Sequence, residues 1–411
     1  MIFRGKIIGV HKSISIGNFT EWICVILLVL LSGCTYFTQA YRKETVGVLI
    51  VFTMLYVGIR RIKLKKKQLI IFGIITMTLF LNFTVNSTSM TTANMMDYGL
   101  MIASLCCITM LASGMTLENF ADKYILIMDI IAVFSLVCFY IQLTNRALVY
   151  RLSSSNIVDG YIISPFHTWG WTYIFERNAG PFWEPGAFQG YLILAILFIL
   201  NERNIKRHIK STIVLMLAII TTMSTTGYIL LAIIICYFVV IYWQQSLKTS
   251  KDKLLTVFKV VAIIFLAIIL VKSISSSNVI SNKLTTNNQS FAIRMLHLKY
   301  GLDVISEKMI LGFGISSPAL MNEIKMYGMN SNSVGIFAIL EYFGIVFGTM
   351  FIIWNFFKTC KIYGNLNSLV VVSIFLILHM TEGLLLFPIY MSFLFWNNPQ
   401  QERKISRNHY E

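Results

Sequence analysis

Long apolar runs separated by short polar stretches organise this chain. They lie near residues 22–40, 45–59, 68–85, 96–115, 124–143, 186–200, 211–225, 227–243, 254–272, 333–357, 367–380 and 384–396. A bilayer core takes about 20 apolar residues per helix, so these runs predict about twelve transmembrane helices. The runs 45–59, 367–380 and 384–396 are short. The stretch 211–243 reads either as one broken helix or as two helices joined tightly at Ser224-Thr-Thr-Gly227, which leaves eleven and thirteen spans open as well. The expected fold class is all-α, a polytopic transmembrane helix bundle, with residues 1–411 forming a single integral membrane domain.

Composition agrees with the pattern. Of 411 residues 56% are hydrophobic and 13% are charged. The mean hydropathy is +0.72. Such a chain is too apolar for an ordinary water-soluble domain, and the spans leave no room for a large soluble one. The net charge of +16 does not imply nucleic acid, because the lysines and arginines interrupt apolar runs instead of forming one basic face. They read as topology signals: RRIKLKKKQ (60–68), LENFADK (117–123), NERNIKRHIK (201–210), QQSLKTSKDK (244–253) and KTCKIYG (358–364) fall on one side, with the tail ERKISRNHYE. The intervening connectors are poorer in cations, as in the uncharged NSTSMTTAN (86–94). The positive-inside rule then puts both termini in the cytoplasm. Loop 41–44, with Arg42 and Lys43 on the outer side, fits this scheme poorly. Arg4, Lys6 and Lys12 precede the first run without a small-residue cleavage pattern, which reads as an uncleaved span. The seven cysteines have neither metal-ligand nor disulfide-framework spacing and read as packing residues.

Two connectors are long, 144–185 and 273–332, and both fall on the expected external face. Compact bundles usually join helices with a few residues. The first long loop holds Arg146, Arg151, Asp159, His167, Glu176, Arg177 and Glu184, with Trp169, Trp171 and Trp183. Tryptophans gather at membrane interfaces without further function. Arg177 and Glu184 are different, because Pro181, Pro185 and neighbouring glycines make RNAGPFWEPGAFQG (177–190) non-helical where it meets the membrane. Irregular backbone at that depth requires protein or a wet cavity beside it.

The second long loop contains SFAIRMLHLKYGLDVISEKMILGFGI (290–315). At helical spacing Arg294, His297, Tyr300 or Gly301, and Val304 follow one face, and Met295, Leu298, Leu302 and Ile305 form an apolar stripe. This predicts a short amphipathic helix along the membrane surface, ended by Gly312-Phe-Gly314. The cations of such a helix meet either lipid headgroups or a ligand. Asn332 and Ser333 open the next span, as a helix cap or as binding groups, and Glu341 lies two turns further in, where an acid needs a partner or a wet cavity.

The order of these features resembles the O-antigen polymerase and ligase superfamily: a multi-span first half, a long loop ending in R-x-x-G-x-F-x-E-P-G, MSTTG between two apolar runs, and a second loop with R…GFG…N…E-x-x-G. The resemblance spans roughly residues 120–350. It implies a bacterial inner-membrane glycosyltransferase that joins glycan units carried on undecaprenyl diphosphate. The family's loop arginines correspond to Arg177 and Arg294, and its acidic position to Glu184. A histidine precedes the asparagine of the late span in ligase-like members. Here the segment reads Ser331-Asn332, which tilts the reading toward a polymerase.

A departing lipid diphosphate develops negative charge, and guanidinium groups can meet it with paired hydrogen bonds. No D-x-D, no H-E-x-x-H and no clustered carboxylates stand in the two long loops, so the expectation is a reaction without metal or other cofactor. Arg177 and Arg294 would stabilise the leaving group, and Glu184 would take the proton of the attacking sugar hydroxyl. The alternative for Glu184 is a salt bridge to Arg177 that shapes the loop, and burial and Arg177 push its charge state in opposite directions. Arg151, His167, Lys299, Tyr300 and Asn332 are further candidates for gripping sugar or phosphate. The expected partners are the lipid-linked oligosaccharide, membrane lipids, and a chain-length regulator and flippase of the same lipopolysaccharide or capsule pathway. Three other readings stay open: a ligase, which differs in its acceptor; a flippase, which would place cations inside its spans, where Lys259 is the clear example; and a membrane scaffold.

Overall fold

The computed structural model describes residues 16–145, 147–148, 151, 162–164, 167–168, 177–202, 205–249, 289–328 and 332–396. The run 254–272 with Lys259, together with Arg146, Asp159, Trp169, Trp171 and Glu176, lies outside the described residues. The first half contributes helices α1 (Ile16–Leu30), α2 (Arg42–Arg60), α3 (Lys66–Val85), α4 (Thr92–Gly114) and α5 (Leu117–Thr144). The second contributes α6 (Pro185–Asn201), α7 (Ile209–Thr221), α8 (Thr225–Thr249), α9 (Gln289–Glu307), α10 (Pro318–Met326), α11 (Gly335–Ile362), α12 (Ser368–Thr381) and α13 (Pro388–Ser392). Among the described residues α3, α4, α5 and α11 are long and apolar enough to cross a membrane, and α1, α6, α7, α8 through Val240 and α12 are shorter apolar helices. The protein is an all-α membrane bundle. Its one departure among the described residues is a two-stranded antiparallel pairing in the first long loop, β1 (Ile162–Ser164) with β2 (His167–Thr168).

The core forms around α6. YLILAILFIL is apolar on every side, and a helix of that kind has to be surrounded by protein or lipid. Protein surrounds it: every residue from Gly186 to Leu200 is buried. Its Phe198 meets Phe120 and Tyr124 of α5 and also Tyr363 and Phe393 at ring distances of 5.2–6.2 Å. Tyrosine hydroxyls there donate to backbone carbonyls, Tyr124 to Tyr191 at 3.0 Å and Tyr390 to Gly190 at 3.1 Å. No tyrosine of the pair therefore buries an unpaired hydroxyl.

Two expected runs take a different form, and a third stretch adopts one of its two expected forms. The run 22–40 is helical only to Leu30, followed by Gly33 at φ 105° and a π-helical turn Tyr36–Ala40. A side chain at Gly33 would collide with the Trp183 ring, so the chain turns away there. The stretch 211–243 is two helices, joined at Thr222-Met223-Ser224 with Met223 at φ 48°. The last run, 384–396, holds only the five-residue α13 and the turns after it. It is too short to be a crossing of its own and is instead packed inside the bundle, with Leu384, Ile389, Tyr390, Phe393 and Trp396 all buried.

The second long loop docks through backbone contacts. In α11 the helix is broken at Gly344 (φ 72°, ψ 175°), which frees the Glu341 and Tyr342 carbonyls. The loop fills the break: Phe313 N–H donates to Glu341 O at 2.8 Å and Gly314 N–H to Tyr342 O at 3.0 Å. Asn82 of α3 donates from Nδ2 to Leu311 O and Tyr342 O, both at 2.9 Å. Within a membrane every backbone polar group needs such a partner. Gly312 (φ 68°) lies against the Gly344 amide and the Tyr342 carbonyl, with no room for a Cβ. Above this joint α9 follows its expected faces in part: Val304 and His297 are buried and Met295 and Leu302 exposed, but Ile305 of the same apolar stripe is buried.

The basic connectors gather at the opposite end of the bundle. There the buried Glu21 of α1 pairs with Lys123 of α5 at 3.1 Å and Arg60 of α2 at 3.3 Å, and accepts from Asn119 at 2.9 Å. A buried charge with one partner removed is strongly destabilising, so this network pins α1, α2 and α5 in register.

Gly312→Ala should lower the unfolding temperature of the detergent-solubilised protein by several degrees, because it combines a left-handed backbone with a clash against Gly344. Gly328→Ala carries a similar φ of 73° with no atom within 4 Å and should cost clearly less. Equal stability of the two variants would show that the loop does not dock on the α11 break.

Candidate functional site

The end of the bundle away from the basic connectors carries a cluster of two arginines and two glutamates. Arg177 comes from RNAGPFWEPG, and that loop is tied down on two sides. Its Nε donates to Thr222 O at 3.0 Å, at the α7–α8 join. Asn178 adds a backbone bond to Thr221 O at 3.0 Å and side-chain bonds to Thr221 Oγ1 and Ser135 Oγ. On the other side Thr35 N–H donates to Pro181 O at 2.8 Å, and Thr168 of β2 bonds Gly180 O and Phe182 O. The EPG and STTG motifs also meet directly, since Gly227 leaves the space that the Gln189 side chain occupies.

Glu184 precedes Pro185, the first residue of α6, and does not cap the helix with its side chain. Its Oε1 accepts from Trp183 Nε1 at 3.0 Å, and it is exposed. Arg294 projects from α9 and pairs with Glu382 at 3.8 Å. Glu382, in the loop between α12 and α13, is the one buried member of that ion pair, with a side-chain exposure of 4% against 38% for Arg294. Its carboxyl lies in the space a Cβ on Gly186 would take, and its backbone carbonyl lies against Gly335 at the start of α11. The glycine of EPG is therefore a seat for this carboxylate.

The four charges act on one another. Burial lowers the Arg177 pKa from its usual value, opposed by Glu184 and Glu382, with Arg294 adding to the lowering. Burial first, and then Glu184 at hydrogen-bonding distance, raise the Glu382 pKa well above the usual carboxylate range; Arg294 and Arg177 oppose this. The nearby Glu184 carboxylate thus favours the protonated form of Glu382. The site combines two guanidiniums, suited to an anion, with a buried carboxyl that favours a proton.

Glu382 was not among the residues singled out from sequence. The signal was Thr381-Glu382-Gly383, an acid and a glycine between two apolar runs, the same combination that marks RNAGPFWEPG. His297 was seen only as part of a helix face. Its Nδ1 accepts the Ser333 N–H at 2.7 Å and lies 2.8 Å from Ser333 Oγ, which leaves the ring proton on Nε2, and burial lowers its pKa.

The weaker candidates have contacts of their own. His167 is fully buried, 3.3 Å from Gln142 Oε1, with its pKa pushed down to about 3 by burial. It is an interior histidine, and Gln142 in turn donates from Nε2 to Arg177 O at 3.4 Å. Arg151 is exposed, and none of its described contacts joins it to the cluster. Lys299 lies over the Tyr300 ring at 5.0 Å, and Tyr300 stacks on Tyr327 against a small core of Val304, Phe313, Leu320 and Ile324. Asn332 accepts from Val334 N–H at 2.9 Å and donates to the buried Glu341, which supplies the partner that acid needs. Among the described residues, the group with metal-ligating geometry is Asp122, Glu202 and His208, at the basic end.

Apolar helices closing over a buried polar cluster define an integral membrane protein. Residues 211–339 match the Wzy_C family model, described as O-Antigen ligase, a match consistent with the superfamily that the motifs resemble. Over that segment the chain is similar to this family of membrane proteins. The matched segment contains the α7–α8 join, Arg294 and Asn332, whereas Arg177, Glu184 and Glu382 lie outside it. No curated protein and no solved structure matches the chain.

The raised Glu382 pKa means that the folded protein keeps a proton that the unfolded chain releases above its ordinary value of 4.5. Stability should therefore fall as pH rises from about 4.5 until the folded carboxyl also ionises. Glu382→Gln should flatten that part of the thermal-stability profile; an unchanged slope would mean that Glu382 is ionised throughout.

Proposed function

We infer that this protein is a polysaccharide polymerase acting on repeat units of an O-antigen or capsule. It transfers a growing glycan from undecaprenyl diphosphate to the non-reducing end of a newly delivered lipid-linked repeat unit. The observation that carries this reading is the meeting of Arg177 and Arg294, from two separate long loops, around Glu382 and Glu184. The basic connectors at the far end support an orientation with that cluster on the external face of the cytoplasmic membrane and with both termini inside.

In the reaction the acceptor hydroxyl oxygen attacks the anomeric carbon of the donor. The bond from that carbon to the diphosphate oxygen breaks, the electron pair leaves with the diphosphate, and the configuration inverts. Arg177 and Arg294 meet the charge that develops on the leaving group, so the reading is metal-independent. The hydroxyl proton passes to Glu184, which is exposed and within reach of an incoming sugar. Glu382 keeps Arg294 aimed at the site. Undecaprenyl diphosphate is released, and a chain-length regulator and a flippase are the expected pathway partners.

The description of the matched family keeps a ligase as the second reading. The two differ in acceptor. In a deletion strain, loss of a polymerase leaves single-repeat glycolipid, and loss of a ligase leaves unattached polymer.

Arg177→Ala or Arg294→Ala should leave the protein in the membrane and slow chain lengthening about a hundred- to a thousand-fold, the usual consequence of losing one transition-state donor. Glycolipid and surface-polysaccharide profiles of complemented deletion strains read this out. Normal long chains from both variants would be incompatible with the proposal.

A further inference from the structure

One feature of the sequence is unexplained by the reaction above: Arg42, a cation on the side where cations are scarce. It is also at the first position of α2, where the helix dipole disfavours positive charge. Asp97 of α4 holds it at 2.6 Å. Both residues are about one-third exposed, so the pair faces outward and is not a buried staple.

Arg42 stands at the rim of a cavity of about 370 Å³ between α1, α2, α4 and α13. Thr38 and Gln39 share the rim, Ser104 adds a hydroxyl within, and Leu105 and Met391 contribute to the apolar lining. Trp183 and Gly383 close one side. These are the chain neighbours of Glu184 and Glu382, and Trp183 is hydrogen-bonded to Glu184. The cavity therefore lies beside the carboxyls, while Arg177 is fixed to the α7–α8 join and Arg294 to α9.

We propose that this cavity binds the terminal sugar of the acceptor, the residue whose hydroxyl attacks. The proposal rests on the polymerase reading and adds to it the place of the second substrate. Three observations carry it. An inverting displacement needs the attacking hydroxyl beside its base, and the cavity is walled by Trp183 and Gly383, the chain neighbours of Glu184 and Glu382. Arg42, the one cation among the described lining residues, is charge-compensated by Asp97 beside it; that suits a neutral polyol, to which Arg42, Gln39 and the hydroxyls offer donors and acceptors, and it does not suit a second diphosphate. The volume and the mixed lining, mostly apolar with a few fixed polar groups, are those of a small-ligand pocket. In this arrangement Trp183 sets the wall against which the sugar abuts, and its indole N–H orients Glu184 toward the hydroxyl.

The test uses full-length protein in lipid nanodiscs and two probes, measured by thermophoresis. One probe is the repeat-unit oligosaccharide cut from the host's own surface polysaccharide, free of lipid and phosphate; the other is farnesyl diphosphate. Ser104→Phe, which fills the cavity, and Gln39→Ala, which alters only its exposed rim, should each weaken oligosaccharide binding about tenfold or more, while farnesyl diphosphate binds as in the wild type. Arg177→Ala and Arg294→Ala should show the converse. If Gln39→Ala and Ser104→Phe bind the oligosaccharide as tightly as the wild type, or the wild type does not bind it at all, the acceptor site is elsewhere and the proposal is overturned. If the wild type instead fails to bind farnesyl diphosphate, it is the polymerase reading that fails.

Discussion

A carboxyl group removed from water and surrounded by apolar helices has to be paired, hydrogen-bonded or protonated, and Glu382 is in that position. Its needs organise the site end of the bundle. Arg294 reaches it from α9, Glu184 from the start of α6, and Arg177 acts on it from the loop before α6. Glycines make the approach feasible, because Gly186 leaves room for the carboxyl and Gly335 for the backbone carbonyl. Three segments far apart in the chain, 177–186, α9 and the start of α11, thus converge on one side chain. Isolated, any of these charges would be costly near lipid; together they form a compact arrangement that can receive an anion and a proton.

The same economy of close approach recurs in the motif glycines. Gly33 accommodates Trp183, Gly227 accommodates Gln189, and Gly312 and Gly344 let the second long loop insert into a broken helix. In each case a backbone, a ring or a side-chain amide occupies the space of a missing Cβ. The α11 break would be unfavourable alone, since it exposes two carbonyls inside the membrane. The loop amides and Asn82 satisfy them, and in doing so they fix where α9 begins its return and where Arg294 ends up.

The two ends of the protein treat charge differently. At the basic end Glu21 is neutralised by Lys123 and Arg60 in direct ion pairs that join three helices. At the other end the arginines are not used up in this way. Arg177 gives one hydrogen bond to a carbonyl, and Arg294 stands 3.8 Å from its partner and partly in solvent. A structural network tightens its pairs, whereas a site that must bind and release an anion keeps donors in reserve. That contrast is why the cluster, and not the buried network, is assigned the chemistry.

By itself the sequence determined the class of the molecule: apolar runs of bilayer length, basic connectors on alternate sides and two long loops leave little but a helical membrane bundle. It also marked Arg177, Glu184 and Arg294, because charges and helix-breaking residues beside apolar runs are expensive and conspicuous. It did not distinguish a crossing from a buried plug, as α13 shows, since both are short and apolar. It did not separate His167, sealed away and neutral, from residues open to a ligand. Nor did it pair Glu382 with Arg294 or place Arg42 beside a cavity. Hydrophobic periodicity is a local property and can be read along the chain. Partnership between residues up to hundreds of positions apart depends on which helices pack together, and only the tertiary structure decided that.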